Sequence, residues 1–140
     1  MGAAMPWRFA IRLSSAPEEL RIARRLVAAA ASEAGADEDV ISDLEVAVGE
    51  ALANASVHAY RGRRRGRLEL ELGFDGTHLE IALHDRGKPV AATMTVPTEL
   101  PPPGMGRGLY LIGQLMDEVR LVHPDLRGRG TAVHMRKRLR

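Results

Sequence analysis

The sequence predicts an α+β fold, a two-layer α/β sandwich whose helices cover one face of a mixed, largely antiparallel sheet. Three observations predict it. The segments run strand, two helices, two strands, a long irregular stretch, helix, two strands. Leu68-Glu69-Leu70-Glu71-Leu72 alternates strictly between apolar and charged residues, the pattern of a strand with one wet face. Asp75-Gly76 separates it from a looser alternation over His78 to His84, which marks an antiparallel hairpin.

The remaining elements follow in order. Trp7, Phe9, Ile11 and Leu13 alternate with Arg8, Ala10 and Arg12, a half-buried first strand. Ser14-Ser15-Ala16-Pro17-Glu18-Glu19 then reads as a helix start, with a capping serine, proline in the first turn and early carboxylates. That helix runs to about Ala34, where Gly35 stops it. A second helix begins near Asp37 and continues to about Tyr60. The stretch from Gly87 to Gly106 contains Pro97 and Pro101-Pro102-Pro103; it is too long and irregular for an idle connection, so it reads as a lid over residues 88–105. Leu109, Ile112, Leu115 and Met116 then space a third helix. Val119 to Val122 and Thr131 to Leu139 close the sheet, with Gly128-Arg129-Gly130 in the turn between them.

Bulk properties narrow the class. The 140 residues make one domain, 1–140, large enough for its own core. The chain has no cysteine, which excludes disulfides, zinc–thiolate sites and thiol catalysis and suits a cytoplasmic setting. Arg8 and Arg12 interrupt the only apolar run near the N-terminus, and no stretch reaches membrane-spanning length. Twenty basic groups against eighteen acidic ones leave a net charge of only +2. The cations concentrate in Arg61-Gly62-Arg63-Arg64-Arg65-Gly66-Arg67, read as a solvated turn in preference to a nucleic-acid or acidic-partner surface.

Chemistry concentrates in three signals. On a helical wheel Leu44, Val48, Leu52 and Ala55 form the core stripe. Glu50 and Asn54 lie opposite, with His58 turning away and small Ala47 one turn below. An amide carbonyl one turn from a carboxylate suits a metal–phosphate site, since Mg²⁺ keeps waters and phosphate oxygens as its other ligands. Asp85 ends the second hairpin strand, where a carboxylate can accept from an exocyclic amine, and Gly87 lets the chain turn. Gly106 and Gly108 open the third helix, where bare N–H groups and the helix field favour phosphate. No Gly-Lys-Ser/Thr follows, so this is not a P-loop.

Together these motifs resemble the GHKL (Bergerat) ATP-binding fold of histidine kinases, gyrase and MutL. Within it the chain is most similar to the small stand-alone anti-sigma factor serine/threonine kinases of the SpoIIAB/RsbW type. Gly49 to Tyr60 resembles the family's N-box and Asp85-Arg86-Gly87-Lys88-Pro89 its first glycine box. Gly106-Arg107-Gly108-Leu109-Tyr110-Leu111-Ile112 resembles the second, and Gly130-Thr131 the last. The resemblance implies ATP/ADP and Mg²⁺ as cofactors. It implies Asn54 as metal ligand, Glu50 as general base, and Asp85 with Thr131 on the adenine amine, with Gly87 letting the base approach. Gly106, Arg107, Gly108 and Leu109 would line the phosphates beneath the lid. Lys88-Pro89 stands where a second glycine motif would follow, and Gly104-Met105 where larger relatives carry a cation. No phosphoacceptor histidine domain accompanies the site.

The implied activity is phosphorylation of a STAS-type anti-anti-sigma protein by a kinase that also sequesters a sigma factor. Two readings compete with it: a nucleotide-gated binding module with little catalysis, and a nucleic-acid binder using the arginine loop. The oligomeric state is not readable from the sequence; the family is often dimeric, and the apolar first strand offers an edge that a homodimer could pair.

Overall fold

In the computed structural model, which describes residues 5–59, 61, 66–87, 95–104, 106–122 and 130–139, each alternating segment becomes a strand of one sheet. These are β1 (Trp7–Ser14), β2 (Arg67–Phe74), β3 (His78–Asp85), β4 (Glu118–Val122) and β5 (Thr131–Arg138). The helices are α1 (Pro17–Glu33), α2 (Glu38–Asn54) and α3 (Arg107–Leu115). The strand order is β1-β2-β3-β5-β4. All four ladders are antiparallel, so the sheet is not the mixed one anticipated. The helix inserted before β4 returns the chain to the far edge, and β5 then runs back between β4 and β3.

Register sorts the residues by face. Leu70 pairs with Ile11 and Leu83, and Leu83 with Val133; these point toward the helices. Leu70, Leu72, Leu79, Ile81 and Met135 from the sheet are buried against Val27 of α1, Leu44, Val48 and Leu52 of α2, and Ile112 of α3. Each such side chain contributes about 1.5–3 kcal/mol by leaving water. On α1 the buried stripe is Ala23, Val27 and Ala31, small residues that let α2 approach closely. Among the described residues the opposite sheet face carries no helix, and several of its charges pair. Arg8 lies across Gly73, where a Cβ would meet its Nε at 3.3 Å, and so reaches Glu80 at 3.4 Å. Glu80 also meets Arg136 at 3.4 Å.

Two helix ends differ from the sequence reading. No serine caps α1: its N-cap is Ala16, followed by Pro17. Ser15 instead continues the β1–β2 ladder, its N–H donating to the Gly66 carbonyl at 2.8 Å and its buried hydroxyl accepting from Gly66 N–H at 2.9 Å. Satisfying both buried backbone groups outweighs a surface cap, since leaving one unmade costs about 1–3 kcal/mol. Ser14 is held by Glu19, which accepts from its N–H at 3.2 Å and from its hydroxyl. The other difference is at α2. It is capped by Asp37 as anticipated, the carboxylate accepting from Val40 N–H at 2.9 Å. The α-helix ends at Asn54, however, and Ala55–Ala59 form a π-helical turn. The His58 side chain, Tyr60, Gly62 to Arg65, lid residues 88–94 and 105, and Gly128-Arg129 lie outside the described residues.

The 75–76 hairpin turn is fixed by its aspartate. Asp75 accepts from the N–H groups of His78 at 2.7 Å and Thr77 at 2.9 Å. Those two bonds, the first the stronger, hold its carboxyl well below the usual carboxylate range.

Candidate nucleotide site

The first turn of α3 meets the polar flank of α2. A Cβ built on Gly108 would lie 2.8 Å from Glu50 Oε2 and 3.2 Å from both amide atoms of Asn54. Only glycine permits this approach without displacing one of the two side chains. Gly106 precedes the helix as its N-cap in the left-handed region, φ +93°, with no side-chain cap. The leading N–H groups of α3 are therefore not spent on a capping side chain, and the helix field there favours an anion. Carboxylate, amide and helix terminus thus stand together. Asn54 is the last α-helical residue before the π turn, a distortion that recurs at functional sites.

A second constellation lies at the end of the central strands. Asp85 is paired directly with Thr131 across β3 and β5, on the sheet face toward the helices. Its carboxylate accepts from Gly87 N–H at 3.1 Å and from the Thr131 amide. Gly130 fastens the turn: its N–H donates to the Gly87 carbonyl at 3.2 Å. At φ +80° a Cβ there would sit 2.2 Å from the Asp85 carbonyl oxygen, a contact no side chain survives. Partial burial pushes Asp85 above its ordinary value of 3.8, more than the Gly87 and Thr131 amides lower it. The carboxylate is thus partly desolvated, the state in which a hydrogen bond to a base amine discriminates best.

The lid is described over residues 95–104. Its arm runs back along α3: Val96 Cγ1 is 3.0 Å from the Cβ position of Gly113, and Pro97 is 3.7 Å from that of Gly106. Arg107 Nε donates to the Pro101 carbonyl at 2.9 Å, tying the lid arm to the start of α3. Lys137 is a tie that sequence reasoning missed. Its Nζ donates to Leu115 O at the end of α3 at 2.7 Å and stands 3.8 Å from Asp43 of α2, locking the two helices whose other ends form the site. The basic residue in an otherwise apolar strand position was its signal. A hollow of about 210 Å³ on the helix-free sheet face, with Arg8, Glu80 and Arg136 in its wall, contains none of these residues.

With this geometry in view, a family model described as "Histidine kinase-like ATPase domain" matches residues 13–137. The chain belongs to this family. A serine-protein kinase RsbW from Listeria innocua is 30% identical over 145 residues, covering 96% of this chain and 89% of that protein. The Bacillus subtilis serine-protein kinase RsbW is 33% identical over 123 residues, 79% of this chain and 75% of that protein. The crystal structure of RsbU and RsbW domains from Mycobacterium tuberculosis has a TM-score of 0.69 at 24% identity, over 95% of this chain and 32% of that one. A histidine kinase domain from Erythrobacter litoralis gives 0.59 at 22%, over 86% and 65%. The two structures bear on the fold alone, and they agree with the helices-on-sheet ATPase architecture. Among the described residues no helix is long and apolar enough to cross a membrane.

The raised Asp85 makes a stability prediction for this histidine kinase-like ATPase domain. A carboxyl that binds its proton more tightly when folded costs stability once ionised. The cost is absent below the ordinary value of 3.8 and complete above the folded value. Asp85→Asn keeps an oxygen for the Gly87 and Thr131 amides. Thermal melts should give it a Tm above the parent at pH 7, the gain vanishing on acidification toward 3.8. A lower Tm than the parent at pH 7 would contradict this.

Proposed function

We propose that the chain is an ATP-dependent serine/threonine protein kinase that phosphorylates a STAS-type anti-anti-sigma protein and sequesters a sigma factor. The observation that carries this reading is the placement of Glu50 and Asn54 against the bare first turn of α3. Named RsbW kinases similar over nearly the whole chain support it.

Asp85, aided by Thr131 and Gly87, holds adenine through its exocyclic amine. The N–H groups of Gly106, Arg107, Gly108 and Leu109 receive the phosphates, and the lid covers them. The donor set fits Mg²⁺: an amide oxygen at Asn54 beside a phosphate cradle is the sparse protein contribution that ion takes. When bound, the ion neutralises charge on the phosphates. Glu50 accepts the proton of a serine or threonine hydroxyl. The hydroxyl oxygen bonds to the γ-phosphorus, the bond to the bridging oxygen breaks, and ADP leaves with that electron pair. Phosphorylation adds close to two negative charges to the STAS partner, so its grip on the kinase weakens.

Glu50→Gln keeps the shape and removes the base. With Mg-ATP and the STAS partner, transfer should fall about a hundred- to ten-thousand-fold, while calorimetry shows unchanged ADP affinity. A Glu50→Gln protein that binds ADP and still regulates its partner normally would favour the nucleotide-gated binding module.

The free edge of β1 and the half-exposed Phe9 on it, 42% exposed, support a homodimer formed by β1 pairing. Sedimentation should then give twice the monomer mass, and Phe9→Lys should halve it. A monomeric parent at tens of micromolar would sink the dimer.

A further inference from the structure

The stripe of α2 that faces α3 extends beyond the site. Asp43, Ala47, Glu50 and Asn54 follow one another at spacings of four, three and four residues, which places them within about 60° of each other around the helix. Glu50 and Asn54 stand against Gly108 at the start of α3. Asp43, at the other end of the stripe, is 3.8 Å from Lys137 Nζ, which donates to the Leu115 carbonyl at the end of α3 at 2.7 Å. The two helices therefore run antiparallel, with a meeting point at each end. Neighbouring residues of β5 strengthen the second point. The Arg136 carbonyl accepts from Asp117 N–H at 3.0 Å, and Arg138 N–H donates to the Asp117 carboxylate at 2.5 Å. Lys137 points into the helix layer, on the same side of β5 as Val133 and Met135, and its side chain is only 16% exposed. An apolar side chain would fill that position without desolvating an ammonium. What the lysine supplies is a cation on the carboxyl end of a helix.

We infer that Lys137 is a positioning residue for the phosphate half of the site, and that the adenine half does not depend on it. The inference rests on the nucleotide reading of that site. The two halves are anchored differently. Asp85 and Thr131 are held by the β3–β5 ladder and by the Gly130 turn behind them. The phosphate half is the first turn of α3, so its place follows from how that helix lies. α3 has nine residues, about 13 Å of helix. Its buried Leu109 and Ile112 hold it to the core, but apolar contact is non-directional and leaves slide and roll open. The hydrogen bond from Lys137 to Leu115 is directional, and with Asp43 behind the ammonium it fixes α3 lengthwise against α2. With that bond gone, α3 shifts its leading N–H groups relative to Asn54. A displacement of about 1 Å is enough to spoil their aim at phosphate oxygens.

The test is calorimetric titration of the full chain, with Mg²⁺ present, by ADP and separately by adenosine. Lys137→Met keeps a long unbranched side chain and removes the cation. It should raise the ADP Kd about tenfold while the adenosine Kd stays within about twofold of the parent. Lys137→Arg still donates to Leu115 and faces Asp43, so its ADP Kd should return to within about threefold of the parent. Asp43→Asn, at a half-exposed position, should raise the ADP Kd about threefold with adenosine unmoved. A general loss of stability lowers Tm and weakens both ligands together, so the ratio of the two affinities separates positioning from folding. An unchanged ratio in Lys137→Met would overturn the inference and leave the nucleotide site standing. If that variant does not fold, an unchanged ratio in Asp43→Asn overturns it instead. A parent that takes up neither ligand would defeat the site reading as well.

Discussion

The site depends on how closely α3 can approach α2. Gly108 sets that distance, since its missing side chain leaves the room that Glu50 and Asn54 occupy. Lys137 holds the far end of the same helix pair, capping α3 and facing Asp43. Between these two points α3 is fixed by Leu109 and Ile112 in the core. A helix terminus is useful to phosphate only if it stays aimed, and buried apolar contacts aim it. The sheet does the same for Asp85, whose position follows from its pairing with Thr131 and from the Gly130 turn behind it.

Burial works against stability at Asp85. A strand end with an apolar neighbour on each side would have been the cheaper choice for folding, and partial desolvation of a carboxylate works against the native state. Two backbone amides lessen that cost without removing it. Carboxylates perturbed in this way cluster at functional sites.

Much of this was legible in the sequence because periodicity reports burial directly. Leu68 to Leu72 fixed a face, a strand and a register once Asp75-Gly76 supplied the hairpin. Glu50 and Asn54 were legible as a pair because four residues make one helical turn. Gly108 was legible as a residue but not as a contact: a glycine announces close approach without naming what approaches. Ser15 misled because capping is a local argument, and its hydroxyl is claimed by Gly66, far along the chain. The π turn was invisible because its sequence, Ala55 to Ala59, continues a helical pattern without proline or glycine. The bond of Arg107 to Pro101 was not legible, because it depends on where the lid arm returns.

The most direct measurement is calorimetric titration of the purified chain with ADP and with GDP, each with Mg²⁺. Saturable ADP binding near one per chain, with GDP weaker by roughly a thousandfold or more, is what a partly buried acceptor built for an amine requires. No heat with ADP, or equal affinity for the two nucleotides, would contradict the account.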